Sequence, residues 1–201
     1  MAHTAAICED GSVFGWGAGR KGQLGVKEKL VALPRRVELG FPAAAAACGR
    51  EFSFFVSRNG ERHRVLGEDG RFAMQTDSPA QGELRGFRKL GAGWGSVVVQ
   101  LADGRLRAWG RNDRGQLPHA GVAGVRDLAV GSEHGVAVLD DNRLVAWGWG
   151  EHGNCGKSRD VDGGDVVGAA FNVRAPAAAA AVGGRLASAG AGCATSWVWA
   201  E

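Results

Sequence analysis

A Trp-Gly frame that recurs along the chain constrains its fold more than any other feature. The stretch Ala102-Asp-Gly-Arg-Leu-Arg-Ala-Trp-Gly-Arg-Asn-Asp-Arg-Gly-Gln-Leu-Pro118 has an upstream relative, Glu9-Asp-Gly-Ser-Val-Phe-Gly-Trp-Gly-Ala-Gly-Arg-Lys-Gly-Gln-Leu-Gly25. It has a downstream one in Asp140-Asp-Asn-Arg-Leu-Val-Ala-Trp-Gly-Trp-Gly-Glu-His-Gly-Asn-Cys-Gly156. An eroded copy runs from Gly49 through Asn59-Gly60 to Leu66-Gly67, with Leu66 at the Trp position. The frame positions 16, 66, 109 and 147 are 50, 43 and 38 residues apart. A period of this size means stacked supersecondary units, each unable to bury its apolar face alone.

Within a unit the local signals are those of strands. Ser96-Val-Val-Val-Gln-Leu101 is a β-branched run, Asp103-Gly104 supplies a positive-φ turn, and residues 105–109 form the return strand. Asn142 replaces the turn glycine in the last copy, as the next best residue for that backbone. Glycine supplies 34 of 201 residues, and interior glycines cost a helix about 1 kcal/mol each relative to alanine, so a helical bundle is excluded. No three-residue period supports collagen. Three or four strands per unit of about 40–50 residues match a propeller blade.

The units also open alike, with Gly93-Trp-Gly-Ser96, Gly131-Ser-Glu-His134 and Gly192-Cys-Ala-Thr195, and His3-Thr4 falls in the same register. The expected fold is therefore all-β, a single propeller-type domain over residues 1–201, with repeats at 3–48, 49–92, 93–130 and 131–191 and a partial one at 192–201. About four blades plus one strand form an open arc. The alanine runs at 43–47 and 177–181 are expected in loops or at strand edges.

The frame Gly-x-x-His … Asp-Gly-x-(Val/Leu)-x-x-Trp-Gly-x-x-x-x-Gly-Gln-Leu-Gly resembles the regulator of chromosome condensation repeat family, whose β-propellers typically have seven blades. The resemblance spans nearly the whole chain and is weakest at 30–47 and 160–181. Gly93-Trp-Gly-Ser96 and residues 147–156 are similar to the fungal alpha-tubulin suppressor proteins, which are also described as Elongator-associated, killer-toxin-insensitivity proteins. That resemblance implies a non-enzymatic adaptor partnered by a small CSL-type zinc protein in wobble-uridine modification of tRNA and in diphthamide synthesis. The founding member implies an alternative, nucleotide exchange on a small GTPase or chromatin binding. One scaffold hosts all these roles, so the fold alone does not choose among them.

Candidate chemistry is sparse. No Gly-x-Ser-x-Gly elbow and no phosphate-binding Gly-rich loop occurs, and no catalytic or cofactor-binding residue is assigned. His152 and Cys155 form half of a conceivable zinc site, but Cys155 aligns with Leu117 and Leu24, which favours a small buried hydrophobe. Trp16, Trp109 and Trp147 occupy the repeated strand position and are expected in blade cores. Trp94 lies instead in a turn opening a blade. The family's ultraviolet photoreceptors carry Gly-Trp-Arg-His-Thr there and need several such turns, whereas this chain has one. Trp149 replaces Arg111 and Ala18 beside Glu151, His152 and Asn154, and either anchors a partner or tucks onto its own blade. Candidate partner-binding residues are thus Trp94, Trp149, Glu151, His152 and Asn154. Trp197 and Trp199 alternate on the final strand and are expected to be exposed.

The basic groups at Arg20, Lys21, Lys27, Lys29, Arg35 and Arg36, and at Arg58, Arg62, Arg64 and Arg71, are interrupted by acids and read as solvated surface rather than a nucleic-acid track. Cysteines 8, 48, 155 and 193 are scattered and read as free thiols. The first residues lack a signal-peptide pattern and no run approaches a membrane span, which together with the resemblance predicts a cytoplasmic protein, with the nucleus as a second compartment.

Overall fold

The computed structural model describes residues 3–67, 74–156, 166–171 and 184–201, the fourth strand of one sheet (166–171) by its backbone alone. Each unit is built on the same hairpin. At Asp10-Gly11, Asn59-Gly60, Asp103-Gly104 and Asp141-Asn142 the second residue has φ of 81°, 71°, 76° and 67°. The side-chain oxygen of the first accepts the N–H two residues on, from Ser12, Glu61, Arg105 and Arg143. Asn142 is the one non-glycine with positive φ among the described residues, as its place in the frame predicts.

These four hairpins sit in four of the five antiparallel sheets. The first is β1 (His3–Ile7), β2 (Val13–Ala18) and β3 (Leu30–Val37). The second is β4 (Ala43–Cys48), β5 (Ser53–Ser57) and β6 (His63–Leu66), and the third β7 (Phe87–Ala92), β8 (Ser96–Leu101) and β9 (Leu106–Gly110). The fourth is β10 (Val125–Val130), β11 (His134–Leu139), β12 (Leu144–Gly148) and β13 (Val166–Phe171), and the fifth β14 (Leu186–Ala191) and β15 (Ser196–Ala200). The result is a partial propeller arc. Each sheet after the first takes its leading strand from residues that precede the opening glycine of the sequence repeat, Gly49, Gly93, Gly131 or Gly192. The final strand therefore does find a partner, β14, from the residues ahead of it.

The alanine run at 43–47 is not loop but the leading strand β4. Each leading strand carries the same irregularity, a register shift between Ala43 and Ala45, Phe87 and Lys89, Val125 and Asp127, and Leu186 and Ser188. A bulge at one end of every leading strand bends it and raises its twist. The second alanine run lies outside the described residues, as does Arg71.

Four apolar clusters fill the four joints between successive sheets. Val13, Val37 and Leu39 meet Phe55 and Leu66 at the first joint, and Phe52, Phe54 and Val56 meet Val97, Val99 and Trp109 at the second. At the third, Val98 meets Leu128, Ala137 and Trp147, and at the fourth Val136 and Val138 meet Leu186 and Ala189. Successive side chains of β8 and β11 thus enter different joints, which is why both strands are buried throughout and read as continuous apolar runs.

The two ends leave one sheet face open. Trp16 occupies the same position as Trp109 and Trp147, which face the preceding sheet at 4% and 1% exposure. No described sheet precedes the first, so Trp16 is only half-buried, and the expectation that all three are core is corrected. At the other end Trp197 and Trp199 stand 50% and 49% exposed on the outer face of the fifth sheet, as the alternation predicts.

Candidate interaction face

Four blade-opening turns converge on one mouth of the arc. Each is closed by a glycine N–H bonded to the carbonyl three residues on: Gly49 to Phe52, Gly93 to Ser96, Gly131 to His134 and Gly192 to Thr195, at 2.8–2.9 Å. Successive turns are then stitched together by the residue after the glycine. Arg50 N donates to Trp94 O at 3.0 Å, Trp94 N to Ser132 O at 2.7 Å, and Ser132 N to Gly192 O at 3.1 Å. The glycines are required by this approach. A Cβ on Gly93 would lie 2.8 Å from Ser132 O, and one on Gly131 would lie 2.4 Å from Gly192 O.

The belt sets Arg50, Trp94, Ser132 and Cys193 around a cleft of about 530 Å³, also lined by His3 and Cys48. Trp94 is 42% exposed, and the Arg50 guanidinium carbon stands 5.6 Å from its ring centroid, a stacked cation–π pair. Ser132 is committed elsewhere, its hydroxyl donating to Cys193 O.

The loops that follow each Trp-Gly leave the same end of the blades as these turns, so the five predicted partner-binding residues share one face. They do not share one environment. Trp149 is half-buried at the joint between loops, with the Arg114 guanidinium carbon 5.4 Å from its ring centroid and the His152 ring at 6.0 Å. Its N–H donates to Glu133 O at 2.9 Å. Glu151 and His152 are exposed. Asn154 is turned inward, 8% exposed, with its amide donating to Trp149 O at 2.8 Å. Cys155 is buried with it, its thiol against Trp147 O at 3.4 Å, and burial pushes that thiol up to about 12. An exposed imidazole and a buried thiol do not face one ligand, and among the described residues no group of three metal-ligating side chains is assembled.

Sequence reasoning missed a buried ionic network beside this face. Glu133, 5% exposed, accepts from Arg111 and, at 2.8 Å, from Gln116, while Arg111 also grips Asp113. Its signal was legible: Glu133 stands two residues after an opening glycine, and Arg111 two after a frame Trp. Some surface cations are paired with neighbouring acids, Arg35 with Glu28, Arg36 with Glu38, Arg85 with Glu61 and Lys89 with Asp127.

The chain matches models described as the regulator of chromosome condensation (RCC1) repeat over residues 10–56, 87–116 and 125–154. Among curated proteins it is similar to the ultraviolet-B receptor UVR8 of Arabidopsis thaliana, 31% identical over 129 residues, covering 57% of this chain and 29% of the receptor. It is also similar to human protein RCC2, 33% identical over 130 residues, covering 59% of this chain and 25% of RCC2. Among solved structures, Prp20p of Saccharomyces cerevisiae superposes with a TM-score of 0.80 at 22% identity, over 99% of this chain and 53% of Prp20p. Human WBSCR16 superposes with a TM-score of 0.75 at 17% identity, over 99% and 56% of the two chains. The chain thus spans about half of these solved propellers and less of its curated relatives.

Proposed function

Because the chain belongs to the regulator of chromosome condensation (RCC1) repeat family, we propose that it is a non-enzymatic protein-interaction module whose partner docks on the face where the opening turns converge. The observation that carries this reading is Trp94, a large aromatic left 42% exposed at the centre of a rigid hydrogen-bonded belt and flanked by Arg50. Tryptophan and arginine are the residue types that dominate binding energy at interfaces. A fixed backbone beneath them lowers the ordering cost of association. Replacing Trp94 by Ala is expected to weaken partner binding by at least tenfold, about 1.4 kcal/mol or more. The melting temperature should stay unchanged, and Asp103→Ala on the opposite, hairpin end should leave the recovered proteins as they are. Equal recovery of partners by wild type and Trp94→Ala in quantitative affinity purification removes the proposal.

A second reading is regulation of a small GTPase. Prp20p, similar over 99% of this chain, is described by its binding to Gsp1p and histones. Faster nucleotide release from a small GTPase mixed with the purified chain supports that reading; an unchanged rate removes it. The finer adaptor reading, with a small CSL-type zinc protein in Elongator-dependent tRNA modification and diphthamide synthesis, rests on residues 93–96 and 147–156 alone. It requires co-purification of such a protein. Light sensing is not proposed, because the opening-turn positions hold Arg50, Trp94, Ser132 and Cys193, a single tryptophan among them.

A further inference from the structure

We infer that the cleft at the convergence of the opening turns selects an acidic peptide segment, one carboxylate of which is held by Arg50 while its apolar neighbour lies on Trp94. The inference rests on the interaction-face reading and adds the chemistry of the partner.

The charges around the cleft carry the argument. Arg50 is the one formally charged side chain among the residues lining it, and no aspartate or glutamate lines it. His3, also at the lining, has its Nε2 bonded to Ser53 Oγ at 2.8 Å and its ring buried, which lowers its pKa and keeps it neutral at pH 7. Arg50 also differs from the arginines that are already engaged by acids. Arg35, Arg36, Arg85, Arg105, Arg111 and Arg143 each hold a carboxylate. The Arg50 guanidinium holds none among the described residues and contacts the Trp94 ring instead.

A guanidinium over an indole keeps its N–H groups for another acceptor, and its planar fork fits a carboxylate in two parallel hydrogen bonds. Several donors at the rim are spent: the backbone N–H groups of Arg50, Trp94 and Ser132 bond to neighbouring turns, and Ser132 Oγ bonds to Cys193 O. One free fork beside one exposed indole therefore reads one acidic residue next to one apolar residue. A nucleic-acid backbone would call for several cations in a row, and this cleft offers one. At about 530 Å³ the cleft holds a few side chains and not a folded domain.

The test is selection of a random dodecapeptide phage library on the full chain, followed by affinities of the selected peptides, as synthetic peptides, for the wild type, Arg50→Ala, Arg50→Lys and Trp94→Ala. Arg50 and Trp94 are exposed enough that all three variants should melt like the wild type. The expected result is an Asp or Glu at a fixed position beside an apolar residue. Affinity should fall at least tenfold when that acid is replaced by its amide or when Arg50 is replaced by Ala, with Arg50→Lys between. Selected peptides without a fixed acid, or with an acid whose loss is felt equally by Arg50→Ala, overturn the inference. If binding depends on Trp94 and not on Arg50, the interaction face stands and its acidic preference falls. If it depends on neither, or no peptide is selected, both fall. Tighter, Arg50-dependent binding of a dodecathymidylate also overturns it, by making the anion a phosphate.

Discussion

At the second and third joints of the arc an indole reaches back to the preceding blade: Trp109 Nε1 donates to Met74 O at 3.2 Å, and Trp147 Nε1 to Gln116 O at 3.0 Å. At the first and fourth joints the corresponding loop carbonyls are met by a serine, Ser53 Oγ on Gln23 O and Ser196 Oγ on Asn154 O, both at 2.7 Å. The two solutions use one site. Val97 pairs with Trp109 and Gly135 with Trp147 across their strands, and Ser53 pairs with Leu66 at the same place. In the second sheet, where Leu66 stands in place of the indole, the donor is on the second strand instead. The serine brings a histidine with it: His3 Nε2 bonds to Ser53 Oγ, and His134 Nε2 to Ser196 Oγ at 2.9 Å, whereas Phe52 and Ser96 stand at the equivalent positions ahead of the indole joints. A degenerate repeat is thus a second way of satisfying a buried carbonyl, not a damaged copy of the first.

The comparison breaks most visibly at an indole joint. Trp147→Ala removes a side chain 1% exposed together with its hydrogen bond, and should cost about 3–5 kcal/mol in urea unfolding. Ser53→Ala keeps the packing but leaves Gln23 O without its donor and His3 Nε2 without its partner, for about 1–3 kcal/mol. A loss from Ser53→Ala as large as that from Trp147→Ala would mean that the serine joint is not the lighter latch. Gly135→Ala sharpens the contrast further, since a Cβ there would lie 2.3 Å from the Trp147 ring carbon Cζ2. The ring must shift, and a cost of about 1–3 kcal/mol is expected.

What the chain discloses in one dimension follows the range of the interaction. The hairpins were legible because Asp10-Gly11, Asn59-Gly60, Asp103-Gly104 and Asp141-Asn142 close on themselves within a few residues. The buried role of Cys155 was legible from its alignment with Leu24 and Leu117. Trp16 was misread because its burial depends on a preceding sheet, which its own repeat does not encode. The alanine run at 43–47, expected in loops or at strand edges, is a leading strand in which only Ala43 is fully buried. At the interaction face, Trp94 stood out as a turn tryptophan, but its pairing with Arg50 joins residues 44 positions apart in neighbouring turns. Asn154 looked available from its loop motif, yet it is buried, with its amide N–H closing that loop onto Trp149 O.

The histidines supply the smallest effect and the one most specific to the serine joints. Burial lowers the pKa of His3 and His134 below the usual imidazole value of 6.5, and also that of His63, which bonds Ser78 Oγ through Nε2 at 3.0 Å. Since the Ser53 and Ser196 hydroxyls donate to carbonyls, Nε2 of His3 and of His134 must carry the hydrogen that the serine accepts. A second proton would then go to Nδ1, which in His134 is buried without a partner. A depressed folded-state pKa means that the unfolded chain binds more protons, so stability is complete above about pH 6.5 and is lost as pH falls through the lower folded-state values. The urea midpoint should therefore decline between pH 7 and pH 5. The decline should shrink in His3→Asn/His134→Asn, with the His63 contribution left in place. If the double variant follows the wild-type pH curve with the same slope, the acid sensitivity lies outside the serine joints.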